Sequence, residues 1–142
     1  MKWIWVICLT CAAWEDWKSR KISMVLLCIA ALPGIWNMCV SDIWMHLRAA
    51  WIGIVMLAVS KATRGALGEG DGWFFLLSAC YLEQKELVLL LLGSLGIGCV
   101  WGMALLMYGR WSGKYEAARE TIPFLTCAWP VGIWLAVMER SL

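Results

Sequence analysis

Apolar residues along this chain come in long unbroken blocks separated by short polar clusters. They follow neither the alternation of a half-buried strand nor the single stripe of a surface helix. The first block, residues 3–14, ends in Glu15-Asp16-Trp17-Lys18-Ser19-Arg20-Lys21. A second, 22–40, is interrupted only by Pro33-Gly34, which a transmembrane helix tolerates when neighbours satisfy the freed carbonyl. The third, 43–60, has His46 and Arg48 near its start and Lys61 and Arg64 beyond its end. The fourth, 72–82, is too short to span alone at ~1.5 Å per residue, unless its helix takes in Gly68-Glu69-Gly70-Asp71 or enters the membrane partway. Either way Asp71 falls at membrane depth. The fifth, 87–108, is uncharged, and Ser94, Gly98 and Gly102 recur on one face as a small-residue stripe that admits a neighbouring helix. The sixth, 122–138, carries Pro123 in its first turn, where the missing amide costs little, and Pro130 as a kink.

A bilayer core of ~30 Å needs about 20 apolar residues per helix. The blocks therefore predict an all-α, polytopic integral membrane bundle of about six transmembrane helices, forming a single membrane-embedded domain over residues 1–142. Lys2 and the block behind it superficially fit a secretory signal. The basic cluster at Lys18, Arg20 and Lys21 would resist export, so the segment reads as a mature, short or tilted first helix.

Composition agrees. The chain is 63% hydrophobic and 15% charged, with a mean hydropathy of +0.74, against about 45–50% and 25% in soluble domains. A water-soluble fold is excluded, and so is a separate soluble domain. Net charge is +2 with dispersed basic residues, which lacks the focused positive surface that nucleic acid requires. The seven cysteines lie mostly inside apolar runs, where a thiol behaves as a small hydrophobe. Cys8 and Cys11 form a CxxC with no second pair at zinc-site spacing, so no metal is expected. Trp14, Trp17, Trp44, Tyr108 and Trp111 fall near block ends, as an aromatic belt requires.

Loop charges give the orientation, since basic residues near span ends favour the cytoplasm. With the N-terminus outside, Lys18, Arg20, Lys21, Lys61, Arg64, Arg110, Lys114 and Arg119 face the cytoplasm, while Lys2, Arg48, Lys85 and Arg140 face outward. Asp16 and Asp71 then share the cytoplasmic side. His46 falls near the outer face, as an interfacial polar residue rather than a catalytic base.

Glu15, Asp16, Glu69 and Asp71 each need a physical reason in so apolar a chain. Asp16 can pair with Arg20 at i+4, a weak interaction on a solvated helix, and Asp71 can cap the fourth helix. Alternatively, ionisable groups within spans are costly and default to functional candidates. Two carboxylates in contact cannot both ionise easily and share a proton. One can then draw a proton from water while the other donates to a scissile carbonyl. Gly68 and Gly70 suit that scheme because glycine permits positive φ and close approach of another chain. Glu69 reads either as a solvated residue or as a like charge tuning Asp71.

Gly68-Glu69-Gly70-Asp71 resembles the GxGD motif of the type IV prepilin peptidase family, which includes archaeal preflagellin peptidases. Asp16, followed by Arg20-Lys21-Ile22, is similar to that family's first-aspartate segment, and Ile122-Pro123-Phe124 to its late IPF segment. The resemblance implies that Asp16 and Asp71 are catalytic, with Gly68 and Gly70 supporting the motif and no cofactor. It also implies a prepilin-like protein substrate, cut on the cytoplasmic side of the inner membrane ahead of its hydrophobic helix. Ser23-Met24 stand where Pro-Asn is usual, Gly72-Trp73 replace Val-Lys, and Leu125-Thr126 replace Gly-Pro. The cytoplasmic loop with paired CxxC motifs seen in larger members is absent, so neither zinc nor N-methylation of the product is expected. Two other function classes stay open at this point. One is a proton- or cation-coupled transporter using the same aspartates; the other is a non-catalytic family member assisting pilus or secretion assembly.

Overall fold

A computed structural model of the chain describes residues 2–19, 22–63, 68–112 and 123–138. Arg20, Lys21, Arg64, Lys114, Arg119, Ile122 and Arg140, on which part of the orientation and of the late motif rests, lie outside the described residues. Six helices follow in order: α1 (Lys2–Ser19), α2 (Met24–Val40), α3 (Ile43–Ala62), α4 (Glu69–Ser78), α5 (Gln84–Ser112) and α6 (Phe124–Met138). No strand occurs among the described residues. Each apolar block has become one helix, so the all-α reading holds. By length and apolar content, α3 and α5 can cross a membrane, while α2 and α6 are shorter apolar helices.

Burial explains why blocks this apolar pack at all. Trp5, Leu9, Phe74, Phe75, Leu82, Leu87, Leu90 and Leu125 form a shared core. Large side chains such as Trp14, Trp36, Trp44, Leu32 and Met107 point outward, an exposure that a soluble monomer rarely shows and that lipid would cover. Trp111, at 95% exposure, sits near the end of α5 as an interfacial anchor would.

The short α4 lies inside the bundle against α2 and α3, while α1 lies on α6 and α6 on α5. Glycines make the closest of these contacts. A Cβ on Gly53 would sit 2.5 Å from the Leu76 backbone nitrogen, and one on Gly72 would sit 2.8 Å from the Leu57 side chain. On the other side of the bundle, Gly132 of α6 faces Leu9 of α1. The small-residue stripe of α5 is realised only in part. Ser94 is buried, but nothing lies within 4 Å of a Cβ placed on Gly98, and it is Gly93 that meets Val131 of α6.

With 10 residues, α4 is only ~15 Å long. It stops at Ser78 although the apolar block runs on to Leu82. Non-helical backbone inside an apolar core survives only if its polar groups are satisfied within the protein, and here they are. The Leu77 carbonyl takes the Cys80 amide and the Ser78 carbonyl takes those of Tyr81 and Leu82. The Ala79 carbonyl meets His46 Nδ1 at 2.8 Å, and Asn37 Nδ2 donates to the Cys80 carbonyl at 2.9 Å. Tyr81 in turn donates to the Ala30 carbonyl.

His46, expected near the outer face, is packed inside the protein. It is 5% exposed, and its Nδ1 must carry the hydrogen because a carbonyl can only accept. Asn37→Ala is expected to cost about 1 kcal/mol, the typical net worth of a hydrogen bond. Thermal unfolding in detergent would show the lowered midpoint.

At one end of the bundle Lys2 pairs with Glu86 at 2.6 Å. Along α1, Asp16 lies roughly 21 Å from that end, at the ~1.5 Å rise of a helix. The 20-residue α3 runs ~30 Å from Ile43 near that end to Ala62. Asp16 thus sits inside the bundle, about two thirds of the way along it.

Candidate active site

Asp16 belongs to the last turn of α1, where an exposed, polar continuation would be ordinary. Instead it is 7% exposed. Its Oδ2 accepts the Leu125 amide of α6 at 3.0 Å. The neighbouring Glu15 turns the other way, and its Oε2 accepts the Ser23 amide at 2.9 Å. Ser23 is the N-cap of α2 but makes no capping bond with its own side chain, so Glu15 ties the end of α1 to the start of α2. The Asp16–Arg20 pair considered from sequence involves a residue outside the described ones.

Asp71 is not the N-cap that spacing suggested. The helix begins earlier, with Gly68 as N-cap and Asp71 in the first turn, where a carboxylate complements the helix dipole. Its amide donates to the Gly68 carbonyl at 3.1 Å. Gly68 has φ −61°, so positive φ is not the reason for glycine here. The reason is room: a Cβ at Gly68 would lie 3.0 Å from Asp71 Oδ2. Gly70 does admit a close neighbour. Ile22, from the α1–α2 link, would lie 2.9 Å from a Cβ there.

Ile22 against Gly70 thus carries the segment that follows Asp16 onto the first turn of α4. The result brings the half-buried Asp71 within range of the Asp16 charge. Two carboxyl groups so placed disfavour a second negative charge. Cys127 of α6 also feels the Asp16 charge. Glu69 is exposed beside the pair. His46 stands at the Ala79 turn, beyond the far end of α4. Among the described residues no cluster of His, Cys, Asp or Glu has the makings of a metal site.

Two participants could not be read from sequence. Leu125 acts through its backbone, which no side-chain pattern reports. Glu15 was visible only as one more acid. The family resemblance did point to the segment around Pro123 and Phe124, though not to what it touches.

The model of the type IV leader peptidase family matches residues 3–103, which takes in α1 to α4, most of α5 and both aspartates. No curated protein and no solved structure matches the chain. With well over half of its 142 residues matched, the chain belongs to the type IV leader peptidase family, a family of proteases.

Proposed function

We propose that the protein is an intramembrane aspartic endopeptidase that removes the basic leader of prepilin-like precursors at the cytoplasmic face of the inner membrane. The observation that carries this reading is the packing of Ile22, from the link that follows α1, against Gly70 at the start of α4, which draws Asp16 and Asp71 of separate helices toward each other. In this reading all six helices are embedded as one unit, with α4 entering only partway. Lipid covers the exposed apolar side chains, and no cofactor takes part.

The chemistry needs one ionised and one protonated carboxyl. Water attacks the scissile carbonyl carbon and gives a proton to the ionised aspartate, while the protonated aspartate donates to the carbonyl oxygen. The resulting diol collapses as the C–N bond breaks. The proton held by the first aspartate goes to the leaving amine, and a diol hydroxyl returns its proton to the second. Atoms and charges balance, and the dyad is restored.

Co-expression with a prepilin-like protein from the same genome tests the reading, with leader loss followed by mass spectrometry. An intact leader alongside a folded, membrane-inserted enzyme would count against it. Gly68→Ala offers a finer probe. Its φ suits any residue, so the fold should persist, but the new Cβ crowds Asp71 Oδ2 by a few tenths of an ångström. A roughly tenfold fall in kcat is expected, given how steeply rate depends on placement.

A further inference from the structure

The contact between Asp16 and the start of α6 does more than close a helix end. We propose that the first turn of α6 is the positioning element of the aspartate pair, and that it assigns the water-activating role to Asp16. The inference rests on the dyad reading above. It concerns a helix that lies beyond the matched stretch of residues 3–103.

The first amides of a helix have no partner inside it. In α6 the residue before the helix is Pro123, which has no amide hydrogen, and the Leu125 amide points at Asp16 Oδ2, 3.0 Å away and buried. A backbone N–H can only donate. The oxygen it meets is held as an acceptor, and a hydrogen bond donated to the charged form of a carboxyl group favours that form. Asp71 differs. Among the described residues no donor reaches its carboxyl group, leaving it to carry the shared proton toward the substrate. Among the described residues, Asp71 from α4 and Cys127 from α6 feel the Asp16 charge, while Glu15 is engaged with Ser23.

Further ties fix the register that makes this aim possible. Thr126 Oγ1 donates to the Ala13 carbonyl at 3.3 Å, and Trp129 Nε1 donates to Thr10 Oγ1 at 3.1 Å. Leu9 closes against Gly132 one turn further on. Sliding α6 along α1 would break these ties together with the bond to Asp16.

The test replaces the Leu125 amide with an ester in the full-length protein, by amber suppression with the α-hydroxy analogue of leucine. The side chain is unchanged and the donor is gone. Against a prepilin-like precursor, kcat should fall about tenfold to hundredfold, as for a lost hydrogen bond to a charged group, with KM unchanged. An ester at Val137, at the other end of α6, should leave kcat within about twofold. Thr126→Val, which frees the first turn from Ala13, should lower kcat about threefold to tenfold by misplacing that turn, and it covers the case in which the ester does not fold. Unchanged kcat in the Leu125 ester, whatever its melting temperature, would overturn the proposal and leave the contact as a helix cap. The proposal is likewise overturned if the ester does not fold and Thr126→Val keeps full kcat. If Asp16→Asn still cleaves, the dyad reading itself has failed. If Asp16→Asn is inactive and the ester is not impaired, only this inference falls.

Discussion

Asp16→Asn and Asp71→Asn should each lower leader cleavage by about 10²- to 10⁴-fold, the range for loss of a positioned acid or base. The fold should survive both changes. Asparagine keeps an oxygen able to accept the Leu125 amide that Asp16 now holds at 3.0 Å, and in the first turn of α4 it keeps the size of Asp71. What is lost is the proton traffic. Because the two groups act on one reaction as a unit, the double variant should be hardly worse than either single one. Initial rates of leader removal, with each variant's melting temperature in detergent, check the prediction. Cleavage persisting in either single variant would sink the dyad. Proton or cation flux in proteoliposomes that needs Asp71, in the absence of any cleavage, would move the protein to the transporter class.

The helices were legible in the sequence because each apolar block had to satisfy its backbone polar groups internally, and a helix does so with local bonds alone. Their ends were not. Nothing in Ala79-Cys80-Tyr81-Leu82 breaks a helix by its own propensity; those residues unwind because Asn37 and His46, far away in the chain, supply partners to the carbonyls. Such help is tertiary and leaves no local pattern. Placing Asp71 as an N-cap failed for a similar reason: glycine at position 68 takes that place with no side chain to advertise it. The candidate site itself was half visible. Gly68, Gly70 and Asp71 stand together in sequence. Their meeting with Asp16 depends on Ile22 fitting against Gly70 and on a backbone amide from α6.

The second large effect is expected far from either carboxyl, at Gly53. A Cβ there would fall 2.5 Å from Leu76 N and 2.6 Å from its Cα. Backbone atoms cannot rotate aside as the end of a side chain can, so Gly53→Ala must push α3 and α4 apart. Overpacking of this kind costs about 1–3 kcal/mol. Because α4 is a 10-residue rod with Asp71 in its first turn, the displacement is carried to the site. A misplacement of about 1 Å can cost 10²-fold in rate. Gly53→Ala should therefore melt earlier and cleave about tenfold to hundredfold more slowly. Gly98→Ala, with open space around it, should be neutral or gain a few tenths of a kcal/mol, roughly as Ala replaces Gly in a helix. The contrast separates packing geometry from the mere presence of glycine in a membrane helix. If Gly53→Ala keeps full activity and stability, α4 is not held by this contact. The placement of Asp71 would then have to come from its other neighbours, Ile22 at Gly70 and Leu57 at Gly72.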